Sequence, residues 1–247
     1  MRPLLSLLLA ALLSLASSAR AADDYPARRE AMLAEFTTQI ATLGKALERS
    51  PNSMAVLSRR GDYHLFLGHF KEAVADFEQM ISIDPAQDPG HWRLGIAYYF
   101  TKQYEKSSQQ FAKYHAFDGR DRENGVWKFL ADARQSGVET ARRQMLAYEQ
   151  FDREPFPSLY EMFAGQKTGA EVLAEVQSKG LAEDPLVRFF AAYYVGLNAA
   201  LNGDITSAKE QLGQAVATFA PTLGVGGGPG YMWQVARLHA EQLDSTP

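Results

Sequence analysis

From Pro26 onward, apolar residues recur every three or four positions, in runs separated by short polar breaks. This is the spacing of helices that bury one face. Glu30 to Glu48 carries Met32, Leu33, Phe36, Ile40, Leu43 and Leu47 as one stripe, and Ser50-Pro51-Asn52 ends it, because proline cannot continue a helix. A next helix follows with Leu57, Gly61, Leu65 and Leu67, then a turn at Gly68-His69. Another helix carries Ala73, Val74, Phe77, Met80 and Ile81 as far as Asp84-Pro85. The pattern then returns with a period of 34 residues: Gly61 to Gly95; Ala73 to Ser107 to Ala141; Phe77 to Phe111 to Met145; Met80 to Tyr114 to Tyr148. Small residues at Gly61 and Ala73 let the two helices of a hairpin approach closely, and Phe77 fills the space between successive hairpins.

A 34-residue helix-turn-helix period belongs to a known repeat class. With Phe70-Lys71-Glu72-Ala73-Val74-Ala75-Asp76-Phe77 and the terminal Asp84-Pro85, this stretch resembles the tetratricopeptide repeat (TPR) family. The resemblance implies an all-α, TPR-type α-α solenoid of antiparallel helix hairpins. Residues 22–52 read as an N-terminal helix and cap, followed by repeats at 54–87, 88–121 and 122–155. The second repeat keeps Leu94-Gly95, Tyr98, Tyr104 and Phe111 but has Ser107 for the usual Ala and Gly119 for Pro. The third is degenerate, with Phe129 where Gly is expected. Pro155 and Pro157 open an irregular helical insert over 155–184. A further repeat over 185–221 has Gly196, Ala208, Leu212 and Ala215 at the same mutual offsets, with Asn202-Gly203-Asp204 as its turn. Residues 222–247 read as a Gly-rich connector and a capping helix from Tyr231 to about Leu243.

The first residues change the setting. Arg2, the Leu/Ala run from Leu4 to Ala16, and Ala19-Arg20-Ala21 make residues 1–21 a secretory signal peptide cleaved after Ala21. The apolar run is short of the ~20 residues a spanning helix needs; a signal anchor is the alternative. Localisation is then periplasmic or secreted, with no transmembrane segment in the mature chain. Cleavage lowers the 25 Lys and Arg to 23 against 29 Asp and Glu, a net charge of about −6 with His neutral. That balance offers no footprint for nucleic acid or an anionic membrane surface. The chain has no cysteine, which excludes disulfides, a lipidated Cys, Cys metal sites and a Cys nucleophile.

Local chemistry is sparse. Gly224-Val225-Gly226-Gly227-Gly228-Pro229-Gly230 lacks the strand and the Gly-Lys-Ser/Thr ending of a phosphate loop. His64 and His69, five apart, fall on different faces of a continuous helix. No His-Glu-x-x-His or Gly-x-Ser-x-Gly occurs. The reading is therefore non-catalytic, with no cofactor and no metal; a hydrolase assembled from distant residues is the less favoured alternative.

The TPR resemblance implies that first helices line a concave groove. Carried onto this chain, the lining positions are Ser58, Asp62, Leu65 and Phe66, then Trp92, Ile96, Tyr99 and Phe100, then Val126, Leu130 and Arg134. Arg59, Arg93 and Trp127 stand one position along, towards the rim. Aromatics with Arg are the residue types enriched in binding hot spots, so a protein or peptide partner is expected there. The alternative is that C-terminal helices cover these aromatics as core. TPR domains that clamp a peptide carboxylate use Lys and Asn where this chain has Ser58 and Asp62, and an Asp repels a carboxylate. Ser158-Leu159-Tyr160, Tyr194-Val195-Gly196-Leu197 with Leu201-Asn202-Gly203-Asp204, and the Tyr231 to His239 helix resemble envelope TPR proteins related to the lipoprotein NlpI. That likeness implies a periplasmic adaptor for cell-wall-processing enzymes or proteases. The expectation is an exported interaction scaffold; self-association into a homodimer is the alternative.

Overall fold

The computed structural model describes residues 25–220 and 230–245; the signal-peptide reading and most of the Gly-rich connector lie outside them. Among the described residues there are twelve α-helices and no strand. The helices are α1 (Tyr25–Arg49), α2 (Met54–Phe66), α3 (Phe70–Ile83), α4 (Trp92–Phe100), α5 (Tyr104–Phe117), α6 (Arg122–Ser136), α7 (Val138–Arg143), α8 (Phe156–Phe163), α9 (Gly169–Ser178), α10 (Pro185–Leu201), α11 (Ile205–Phe219) and α12 (Tyr231–Asp244). Sequence neighbours pack as antiparallel hairpins, α2 on α3, α4 on α5 and α10 on α11, and successive hairpins stack. The chain is all-α, a solenoid of helix hairpins.

The recurring small residue has a measurable cause. A Cβ on Gly61 would stand 2.5 Å from the Phe77 ring, one on Gly95 2.8 Å from the Phe111 ring, and one on Gly196 2.9 Å from the Leu212 side chain. All three pairs are sixteen residues apart, so one offset sets the hairpin seam. The same two phenylalanines also reach forward, Phe77 to His91 at 5.0 Å and Phe111 to Trp127 at 6.0 Å between ring centroids. The Ser107 hydroxyl donates to the Gly95 carbonyl at 2.8 Å, a bond across the hairpin that Ala cannot make.

After α6 the offset no longer works. Phe129 replaces the glycine and instead meets Phe163 of α8 at 5.3 Å. Helix α7 ends at Arg143, and residues 144–155 run on without regular structure. Tyr148 lies in that stretch. It packs beside Gly125, where a Cβ would meet its hydroxyl at 2.5 Å, and against Tyr160 at 5.1 Å. A bulky residue on the first helix and a short second helix remove the close seam, and α8 takes the vacated face. Helix α8 itself begins at Phe156, with Pro157 in its first turn, where a missing amide costs nothing.

A buried polar cluster joins this region to α10. Tyr194 donates to Glu123 Oε1 at 2.6 Å, Trp127 Nε1 donates to the Tyr194 hydroxyl at 3.1 Å, and Arg153 pairs with Glu123 and Asp121. Burial pushes the Glu123 carboxyl up to about 7 against the opposing charge of Arg153 and the bond from Tyr194.

Candidate functional site: the groove and the helix seated in it

Every first helix contributes to one concave wall, and α12 lies against that wall. Tyr231 meets Trp92 of α4 edge-on at 4.8 Å and Phe66 of α2 at 5.0 Å, and Arg93 sits over its ring at 5.3 Å. About two turns further along, His239 packs on Phe100 at 4.8 Å, on Tyr99 at 5.9 Å and on Trp127 at 6.0 Å. Its Nδ1 lies 2.9 Å from the Tyr193 hydroxyl of α10. Between these ends Val235 and Ala236 are fully buried. Of the two expectations for the aromatic wall, the structure has the covered one: α12 occupies the groove.

The placements differ residue by residue. Ile96, Tyr99, Phe100, Trp127, Leu65, Val126 and Leu130 are buried. Trp127 is not at the rim: it stacks under His239 and reaches Tyr194, because α6 faces both α12 and α10. Trp92, Phe66, Ser58, Asp62 and Arg93 are half-buried, and Arg59 and Arg134 are exposed. Arg93 donates to Asp62 at 3.0 Å and to Ser58 at 3.3 Å, and Arg134 donates to the Tyr99 hydroxyl at 3.4 Å. Burial raises the Asp62 carboxyl to about 6, with Arg93 opposing. Burial likewise lowers His239 to about 3, so its imidazole is neutral.

One residue that the sequence reading passed over holds α12 in place. Arg237 is 1% exposed. It bonds Gln234 Oε1 at 3.1 Å, chelates Glu241 at 2.8 and 2.9 Å, and donates to the backbone carbonyl of Phe66. That carbonyl ends α2, where a helix presents unpaired acceptors and the negative end of its dipole. Glu241 is tied in turn to Arg29 of α1 at 2.6 Å. The signal available beforehand was a lone Arg among Val235, Ala236 and Leu238, at a spacing that turns it inward.

Two further clusters bear on catalysis and metals. His64 and His69 do meet, with Nδ1 atoms 3.4 Å apart. The expectation of separate faces fails because α2 ends at Phe66 and the chain turns back at Gly68. Among the described residues no group of three metal-ligating side chains converges. Ser158 Oγ lies 3.2 Å from Lys167 Nζ, a pairing that resembles a nucleophile and its base. Glu161 and Glu175 hydrogen-bond Lys167 and raise its pKa, so the amine is protonated and accepts no proton. Among the described residues no helix is long and apolar enough to cross a membrane.

Fold and groove define a class: a stacked helix-hairpin solenoid whose concave wall seats a helix. Comparison with known proteins agrees. Residues 55–87 match the tetratricopeptide repeat family. A tetratricopeptide repeat protein from Parabacteroides merdae ATCC 43184 superposes with a TM-score of 0.50 at 12% identity, over 92% of this chain and 84% of that one. Protein SGT1 homolog of Bos taurus is 27% identical over 39% of this chain and 29% of its own length. Hsp70-Hsp90 organizing protein 3 of Arabidopsis thaliana is 29% identical over 32% of this chain and 14% of its own. The chain thus spans less than a third of these curated relatives. It carries the TPR signature and has the fold of a TPR protein.

Proposed function

We propose that this chain is an exported, non-catalytic protein-interaction scaffold of the bacterial envelope, and that its concave wall is the partner-binding surface. The observation that carries the reading is the wall itself: rings from α2, α4, α6 and α10, flanked by Arg59, Arg93 and Arg134, gathered around one amphipathic helix. Names such as Hsp70-Hsp90 organizing protein describe relatives that organise other proteins, which supports an interaction role of the same kind. They do not carry the chaperones with them. Asp62 stands where a carboxylate-clamping domain has Asn, and it is already engaged by Arg93. Export rests on Arg2, the Leu4–Ala16 run and Ala19-Arg20-Ala21.

The test is expression of the full chain in a bacterial host, with a photo-crosslinking residue at the exposed Arg59 position. A periplasmic product whose intact mass begins at Ala22, cross-linked to a defined polypeptide, is the expected result. Retention of the uncleaved chain in the cytoplasm would overturn export. An absence of any cross-linked polypeptide would overturn the groove as the partner surface.

A further inference from the structure

Helix α12 is held by a few hydrogen bonds, from Arg237 to the Phe66 carbonyl, from Trp233 Nε1 to the Val216 carbonyl and between Tyr193 and His239, but its seam leaves other polar atoms unserved. Among the described residues six buried side-chain polar atoms have no partner, and three of them lie along this seam: Asp62 Oδ1, the Tyr231 hydroxyl and His239 Nε2. Such an atom disfavours the seam, because the water that served it before burial has been removed. In the hairpin seams Phe meets Gly, the Ser107 hydroxyl is bonded to Gly95 and Asp76 is paired with Arg60. Near the C-terminal end of α12 a cavity of about 190 Å³ remains, lined by Leu130, Arg134, Leu197, Leu201, His239 and Leu243. Polar ties run from α12 to its flanks, through Arg237, Glu241 and Arg29 to α1 and the end of α2 and through Trp233–Val216 and Lys209–Asp244 to α11, while α4, α6 and α10 touch it mainly through rings.

We infer that α12 is a displaceable occupant of the groove, and that the external partner is an amphipathic helix with α12's own face: an aromatic, then a β-branched residue four positions on and a small one at five, an arginine at six and a flat ring at eight. This rests on the scaffold reading and names the partner class for that site. The geometry sets the requirement at each place. The first aromatic must lie between Trp92 and Phe66 beneath the Arg93 guanidinium. Only a small residue fits at the fully buried Ala236 position. An arginine one position further on reaches the last carbonyl of α2, and a ring at the far end enters the box of Tyr99, Phe100 and Trp127. A partner helix that also hydrogen-bonds Asp62 Oδ1 gains what α12 leaves unmade.

The absence of native cysteine makes the test direct. In the full chain, Ala236→Cys places a thiol on the buried face of α12, and Ala73→Cys places one in the α2–α3 seam; both positions are 0% exposed. Reaction with a thiol reagent is followed under native conditions, with and without a synthetic peptide of residues 230–245. The expected result is at least a tenfold faster reaction at position 236 with saturating peptide and no change at position 73. Val235→Cys is the second reporter, should Ala236→Cys fold poorly. Unchanged reaction at position 236, or a rise matched at position 73, overturns displaceability. A dimer on sizing, with reaction at position 236 that depends on protein concentration and not on peptide, overturns the external partner in favour of a second copy's α12. If the Arg59 photo-probe captures a partner while position 236 stays protected, the scaffold reading stands and this inference falls.

Discussion

The hairpin seams and the α12 seam are built on opposite terms. In α2–α3, α4–α5 and α10–α11, contacts lie sixteen residues apart and match a glycine to a ring or a leucine. Polar groups there are few, and Ser107 is bonded to the partner helix. In the α12 seam the partners lie up to 212 residues apart, rings come from five helices, a buried arginine is fully engaged, and three polar atoms have no partner. Packing that is local, with its polar groups such as Ser107 and the Arg60–Asp76 pair bonded within the hairpin, repeats without adjustment. Packing assembled from distant segments holds through a few specific groups and leaves faults between them. The first kind makes a rigid frame; the second makes a surface that another helix can contest.

The largest effect should come from the frame. Phe77→Ala empties the space between Gly61 and His91 and should cost about 3–5 kcal/mol, read from the urea midpoint at unchanged slope. A loss under 1 kcal/mol would mean that the seam collapses onto the cavity, and the contrast with α12 would weaken. Next is the clamp: Arg237→Ala strands the Phe66 carbonyl and Gln234, leaves Glu241 with Arg29 alone and empties a buried site, for about 3 kcal/mol. Native-state hydrogen exchange should accelerate in α12 well before α2–α5. Uniform acceleration would erase the distinction between the two seams.

A smaller effect concerns pH. Glu123 titrates near 7 in the fold and near the ordinary 4.5 when unfolded, so the native state holds the extra proton between those values. Stability contributed by this group is therefore full below about 4.5 and falls as pH rises to about 7. Asp62, raised to about 6, acts in the same direction. Glu123→Gln should flatten the fall in Tm between pH 5 and 7.5 by a few °C, at about 2–4 °C per kcal/mol for a chain of this size; an unaltered slope would exclude Glu123 as its source. The smallest effect is Ser107→Ala, which restores the residue usual in the repeat and loses one hydrogen bond worth about 0.5–1.5 kcal/mol. A gain in stability would show the small apolar side chain outweighing the bond.

Much of the frame was legible in advance. Gly61, Gly95 and Gly196 marked the close approaches because a hairpin's contacts recur at a fixed offset, and a fixed offset is visible in one dimension. The breakdown after α6 was legible at Phe129 as a departure, though not the use of that ring against Phe163. The groove positions were read from the repeat register, but sequence left open whether α12 covered them. Trp127 was placed at a rim and proved buried, since its cover comes from Tyr194 and His239, 67 and 112 positions away. His64 and His69 were set on separate faces until the end of α2 folded one back on the other.

The sequence alone determined helical hairpins, their period and the face each helix buries, because these follow from side-chain spacing over a few turns. Only the tertiary structure decided what fills the concave wall. The bond from Arg237 to the Phe66 carbonyl spans 171 positions, and no periodicity encodes such a meeting: it exists only once the stacked hairpins have curved far enough for the last helix to lie among the first.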